Sequence, residues 1–128
     1  MDWINNVSST LLSKSLDGLW ARQQAISDNI TNYETPGYKK KVVSFEDELA
    51  EAINNLKGTK LEKMDTIRKS NIFENIDNVQ GLRADGNNVD IEQENIELAR
   101  NQLQYSMAIR QLNDNFSRLR YAISGGTR

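Results

Sequence analysis

The chain contains no cysteine and no histidine. Thiolate nucleophiles, disulfides, imidazole bases and the usual zinc ligands are therefore excluded together. A single proline, Pro36, occurs in 128 residues, and hydrophobic residues make up only 38%. In a domain of this length that is too little for a large private core. No stretch approaches the ~20 consecutive apolar residues needed to span a bilayer. The N-terminus, Met1 to Trp20, carries an acid at position 2 and has neither a basic lead nor an uninterrupted apolar run. A Sec-type signal peptide is not expected, so any export would take an unconventional route. Sixteen basic residues against eighteen acidic ones give a net charge of -2, which provides no general attraction to nucleic acid or anionic membrane.

What the chain does have is helical periodicity. Leu12, Leu16, Leu19, Ile26 and Ile30 recur at alternating spacings of four and three, with Gln23 filling the gap. Ile4, Val7 and Leu11 form an earlier stripe slightly out of phase, suited to a different neighbour, and Trp3 and Trp20 lie beside the main seam. A stronger pattern runs through Ile91, Asn95, Leu98, Gln102, Tyr105, Ile109, Leu112, Phe116, Leu119 and Ile123, in which only Asn95 and Gln102 are polar. Asp90 with Gln93 resembles a capping box, and Gly125-Gly126 ends the pattern, so a helix is expected from about Ile91 to Ser124. Ser44 with Asp47 suggests a second box, opening a short helix on which Phe45, Leu49, Ala52, Ile53 and Leu56 share a face before Gly58.

The expected fold is mainly α, with long N- and C-terminal helices pairing as a coiled-coil-like hairpin around a polar, loop-rich middle. In segments, this reads as an N-terminal helix over 1–34, a Pro-Gly turn and basic segment over 35–43, and a short helix over 44–56. A loop or small β region follows over 57–89, then the C-terminal helix over 90–124 and a tail over 125–128. Within the middle, Asp85-Gly86 is a turn signal that short strands could precede, although Ile72, Ile76 and Val79 also fit a helical turn.

Two helices paired antiparallel would bury one seam each. The C-terminal helix also carries Ile96, Ala99, Leu103 and Met107 on a neighbouring face, which a single partner leaves wet. Burial is worth roughly 25 cal/mol per Å², so the surplus face favours an assembly, the alternative being a monomeric hairpin with scattered apolar exposure. Gln23, Asn95 and Gln102 either fix register or mark where the seam is wet; the second is the plainer reading.

The parts of an enzyme are missing. Asp47 with Glu48, and Glu92 with Glu94, sit at helix starts, where the helix dipole favours acids. The segment Asp85 to Glu94 has the composition of a calcium loop but lacks its D-x-[DN]-x-[DN]-G order, so a turn and an N-cap explain it better. Lys39, Lys40 and Lys41 lack interleaved aromatics and arginines, which makes a solvated run the usual case. The sequons at Asn6 and Asn29 fall in expected helix and are discounted. No cofactor, metal, nucleic acid or small-molecule substrate is expected.

The sharpest local feature is the stretch Ser27 to Lys41, "SDNITNYETPGYKKK". Pro36 pushes Thr35 out of helical dihedrals, and Pro36-Gly37 can form the central pair of a type II turn. Asn29 and Asn32 can cap the last carbonyls of the preceding helix, with Tyr33 and Tyr38 bracketing the turn.

The wider segment Arg22 to Leu49, with its Asn-Ile-Thr-Asn run followed by Thr-Pro-Gly-Tyr, resembles the N-terminal signature of bacterial flagellar axial proteins. Asp85 to Ile123, opening Asp-Gly-Asn-Asn-Val-Asp, is similar to the C-terminal region of short proximal rod proteins of the FlgB family. Ser27-Asp28 and Thr31 depart slightly from the usual residues. The resemblance implies a non-enzymatic rod subunit, exported unfolded without a cleaved signal through the flagellar type III apparatus and polymerised outside the cytoplasmic membrane to transmit torque. Its implied partners are itself, other rod proteins, membrane-ring and rod-junction proteins, and the export apparatus. The expected assembly interface comprises Leu12, Leu16, Leu19, Ile26, Ile30, Leu98, Tyr105, Ile109, Leu112, Phe116 and Leu119. Asn29, Asn32, Thr35, Pro36, Gly37 and Tyr38 would set the angle at which the chain leaves the helical layer. A non-flagellar coiled-coil adaptor and a membrane-surface amphipathic protein are the other readings; the Pro-Gly break argues against the first and the lack of a basic polar face against the second.

Overall fold

A computed structural model describes residues 6–81 and 83–125. Helix α1 (Val7–Thr31) leads into strand β1 (Lys41–Ser44), followed by helices α2 (Glu46–Asn54) and α3 (Lys60–Arg68), strand β2 (Phe73–Ile76) and helix α4 (Ile91–Ile123). The architecture is mainly helical, with the long first and last helices packed together and a two-stranded sheet in the middle. Ile4 and Trp3 of the early stripe, and Gly126 of the final glycine pair, lie outside the described residues.

Helix α1 begins where Asn6 Oδ1 accepts the Ser9 amide at 2.6 Å, a side-chain cap worth about 1 kcal/mol. Asn6 therefore stands at the cap and not inside the helix. The helix ends where Asn32 turns its side-chain Nδ2 back to the Asp28 carbonyl at 2.8 Å. At α4, Asp90 Oδ1 accepts from the Glu92 and Gln93 amides. The Gln93 side chain donates forward to Glu97 at 3.1 Å, so that cap is one-sided and not a closed box.

The pairing of α1 with α4 is antiparallel. Asn29 meets Glu94, Gln23 meets Asn101, and Ser8 meets Asn115 at the other end. The second face of α1 receives the middle of the chain. Arg22 donates to the Val43 carbonyl at 3.0 Å and forms a paired contact with the Glu46 carboxylate. One turn earlier Gly18 lies against Phe45; a Cβ there would stand 2.4 Å from the ring, so glycine creates the notch that admits it. The Arg22 guanidinium closes over the same ring at 4.9 Å. The core cluster comprises Leu19, Ala25, Val43, Phe45, Leu49 and Ile67, with Val7, Leu11, Tyr105 and Ala108 against its edge.

The middle is more ordered than its sequence pattern suggests. Residues 60–68 form α3, in the segment expected to be a loop or small β region. Thr59 and Glu62 close a reciprocal capping box, and Met64 and Ile67 are buried. The box expected at Ser44 and Asp47 does not form: Ser44 belongs to β1, and Phe45 occupies the cap of α2 with no side-chain cap bond. Strand β2 pairs antiparallel with β1 across the basic segment, Val43 opposite Glu74, and not in a hairpin through Asp85-Gly86.

Candidate functional site: the interlocked joint

Sequence places Thr-Pro-Gly-Tyr and Gly-Asn-Asn-Val-Asp about fifty residues apart; folding brings them into contact. Tyr38 donates its amide to the Thr35 carbonyl at 3.2 Å, and Gly37 adopts φ 74, as a type II turn around Pro36-Gly37 requires. The Gly37 amide donates to the Asp85 carbonyl at 2.8 Å. Gly86, at φ 82, comes so close that a Cβ on it would lie 3.7 Å from Gly37 Cα.

Asn87 is the bolt of this joint. Its side chain is fully buried, and its Nδ2 reaches the carbonyls of Asn32, Tyr33 and Thr35 at 2.9, 3.0 and 2.9 Å. Those acceptors run from the end of α1 into the turn, where no helical amide remains to satisfy them. Asn87 Oδ1 accepts the Val89 amide at 2.8 Å, and Asp85 Oδ1 accepts the Asn87 amide at 3.0 Å. Asn88 fastens the strand side in the same way. Its Nδ2 reaches the carbonyls of Asp77 and Val79, and its Oδ1 accepts the Lys40 amide at 2.7 Å. Arg83 stacks over the Tyr33 ring at 4.6 Å and donates to the Tyr33 carbonyl.

Asn29, expected to cap the last carbonyls of its helix, instead turns inward. Its Nδ2 donates to the Lys41 carbonyl at 2.8 Å and to Glu94 Oε2 at 3.1 Å, while its Oδ1 accepts from the Lys41 amide at 2.8 Å and the Tyr38 hydroxyl at 3.0 Å. All four hydrogen-bond positions of the amide are used, so one side chain ties α1, the turn, β1 and α4.

The lysine run is likewise not a solvated face. Lys39 Nζ donates to the Gly86 carbonyl at 2.5 Å, Lys40 lies 3.5 Å from Asp77, and Lys41 lies 2.9 Å from Asp28. Hydrogen bonding to Asp28 raises the Lys41 pKa, with the charges of Asp28 and Glu74 adding to it. The Val79 amide holds Asp77 below the ordinary carboxylate range. Burial pushes Glu94 up, against the hydrogen bond from Asn29 and the charge of Lys40. Burial also raises Tyr38. Asp85, Asp90 and Glu94 accept from amide or guanidinium groups of Asn87, Arg83, Glu92 and Asn29, which fits a fastening.

The expected interface residues divide. Leu19 and Ile26 are buried within the subunit, and Leu12, Leu16, Ile30, Leu98, Tyr105, Leu112 and Leu119 are half-buried. The remaining two, Ile109 and Phe116, are exposed at 37% and 45%, as are Asn95, Gln102 and Ile123 of the same stripe. The alternate positions inside the hairpin are Glu94, Asn101, Ala108 and Asn115. Asn101, at 2% exposure, donates to the Leu19 carbonyl and to Gln23 Oε1, both at 3.0 Å. The inner seam is thus polar at two of its most buried positions, and of the apolar residues between them Ile96 and Ala99 are exposed while Leu98 is half-buried. Periodicity finds the shared positions 98, 105, 112 and 119; it misses Glu94 and Asn101 because it rewards apolar residues alone.

No family model matches the chain. Curated relatives named flagellar basal body rod protein FlgB do: that of Bacillus subtilis is 32% identical over 120 residues, covering 90% of this chain and 92% of its own. That of Borrelia hermsii is 37% identical over 116 residues, covering 81% and 86% respectively. With both signature motifs present and joined in space, and with relatives aligned over most of their length, the chain belongs to the FlgB family of flagellar basal body rod proteins.

Proposed function

We propose that the chain is a structural subunit of the flagellar rod, exported without a cleaved signal through the flagellar type III apparatus and polymerised outside the cytoplasmic membrane into a shaft that carries torque. It would pack against copies of itself, other rod proteins and the membrane-ring and rod-junction proteins. The observation that carries the reading is the outward apolar surface of α4. Ile96, Leu103, Met107, Ile109 and Phe116 remain exposed along one helix. Several such residues along one helix mark an interaction surface. No helix among the described residues is long and apolar enough to cross a membrane, which suits a subunit that lies within a protein assembly.

The joint gives that surface its orientation. A torque-bearing subunit needs its two long helices held at fixed register, and the hydrogen bonds of Asn29, Asn87 and Asn101 do this at separate points along the hairpin. Deleting the gene and imaging purified basal bodies tests the assignment. Basal bodies without a rod, restored by the wild-type chain, are expected; intact rods in the deletion strain would overturn it.

A further inference from the structure

Two Asp-Gly steps occur in the chain, Asp17-Gly18 and Asp85-Gly86. Aspartate followed by glycine is prone to isomerise, because no Cβ on the glycine shields its nitrogen from the aspartate carboxyl group. The two steps are held in different ways. Asp17-Gly18 lies inside α1, where the helical ladder fixes the backbone on either side. Asp85-Gly86 lies at the joint, with Asp85 exposed and Gly86 at φ 82. Asp85 Oδ1 accepts the Asn87 amide at 3.0 Å and Oδ2 accepts from Arg83 at 3.1 Å, so both carboxylate oxygens are tied. The Gly86 amide donates to the Arg83 carbonyl at 3.3 Å, and the Asp85 carbonyl accepts the Gly37 amide at 2.8 Å.

We infer that Asp85-Gly86 is a site of isoaspartate formation that the closed joint suppresses, and that isomerisation there keeps the joint from closing. In the open chain the Gly86 nitrogen attacks Asp85 Cγ. An N–C bond forms, and the carboxyl hydroxyl leaves with the amide proton as water. The cyclic succinimide then takes up one water. Addition at Cγ restores aspartate, whereas addition at the main-chain carbonyl breaks the original peptide bond and leaves the chain running through Cβ and Cγ. One water leaves and one enters, so mass is unchanged and neither oxidant nor reductant takes part. In the closed joint the same attack requires the carboxylate to leave Asn87 and Arg83 while the Gly86 amide leaves the Arg83 carbonyl. The product lengthens the main chain by one carbon just before Asn87, about 1.5 Å. Asn87 holds the carbonyls of Asn32, Tyr33 and Thr35 at 2.9, 3.0 and 2.9 Å. A shift of that size carries its amide past the limit of about 3.5 Å for a hydrogen bond. A chain kept unfolded is thereby damaged at the step its joint needs.

Peptide mapping with electron-transfer fragmentation follows isoaspartate at each step in the purified full chain, aged in mildly acidic buffer with and without urea. In urea the two steps should isomerise at similar rates, and without urea both should be slow. Asn87→Ala without urea should speed Asp85-Gly86 about tenfold or more while Asp17-Gly18 stays slow, because the joint opens locally and α1 remains intact. Arg83→Gln, which leaves the buried Asn87 in place, carries the same comparison if Asn87→Ala loses its helical circular dichroism. No isoaspartate at Asp85 in urea, or a rate in the native wild-type chain equal to that in urea, would overturn the inference. Equal acceleration of both steps in a helical variant, or none at Asp85, would also overturn it, since the protection would not then belong to the joint. After ageing in urea and refolding, isoaspartate at Asp85 should concentrate in the protease-sensitive fraction. An even distribution would show that the joint closes around it and overturn that consequence.

Discussion

Asn87 Nδ2 lies 2.9 Å from the carbonyl oxygen of Thr35, fifty-two positions earlier in the chain. Through this contact the segment that starts the last helix closes the turn that ends the first. The residue is fully buried and its amide adds a second donor to three carbonyls that otherwise keep only the Thr35 and Tyr38 amides and the Arg83 guanidinium, so removing it takes away the bonds that hold the later segment to the turn.

Asn87→Ala is accordingly expected to cost about 1–3 kcal/mol. Asn87→Asp should be worse, because a carboxylate would face three carbonyl oxygens. Urea unfolding followed by circular dichroism measures both; a midpoint unchanged in either variant would show that the carbonyls find other donors.

Gly18→Ala sets two effects against each other. Alanine gains about 1 kcal/mol of helix propensity over glycine, but its Cβ would stand 2.4 Å from the Phe45 ring. Overpacking of this kind costs about 1–3 kcal/mol, and Phe45 is held from the other side by Arg22. A net loss of about 1 kcal/mol is expected, with Phe45→Leu in the Gly18→Ala background recovering part of it. A gain in thermal stability for Gly18→Ala alone would contradict the notch.

Glu94 makes the joint sensitive to pH. Burial raises its pKa above the ordinary value of 4.5, so the folded chain holds that proton more tightly than the unfolded chain. The contribution is fully present below pH 4.5 and is lost as pH rises through the folded value. Glu94→Gln keeps an acceptor for Asn29 and should flatten this dependence while raising stability at neutral pH. Equal pH slopes for the two proteins, measured by chemical denaturation, would show that Glu94 is not the group responsible.

Leu103→Asp and Leu112→Asp separate folding from assembly. Leu103 is exposed at 64%, and its replacement should leave stability within about 0.5 kcal/mol while abolishing motility. Leu112 is half-buried in the hairpin, so its replacement should cost about 2–3 kcal/mol as well. Normal swimming by the Leu103→Asp strain would contradict an assembly role for the outer face.

The long helices are legible in the sequence because their apolar residues recur at helical spacing and their caps, Asp90 above all, are the residues that caps require. The type II turn is legible for the same kind of reason, since Pro36 and Gly37 leave the backbone little choice. Helix α3 escapes the periodicity although Thr59 and Glu62 announce it, because Lys60, Glu62, Lys63 and Asp65 hide the two buried residues Met64 and Ile67. Strand β1 is hidden by its lysine: Lys41 reads as part of a solvated run until Asp28 and Glu74 are seen beside it. The polar pins Asn29, Asn87, Glu94 and Asn101 have no partners that spacing alone can assign. A buried amide is defined by groups that converge on it from distant parts of the chain, and no local pattern records that convergence.

On the proposed function, the joint between the two signature motifs would hold the helices in position for assembly. Its most direct test is the fraction of purified basal bodies that carry a rod, counted by electron microscopy, in a deletion strain supplied with Asn87→Ala in place of the wild-type chain. Basal bodies without rods are predicted while the variant chain is still synthesised. Rods in normal number and length would contradict a positioning role for the joint.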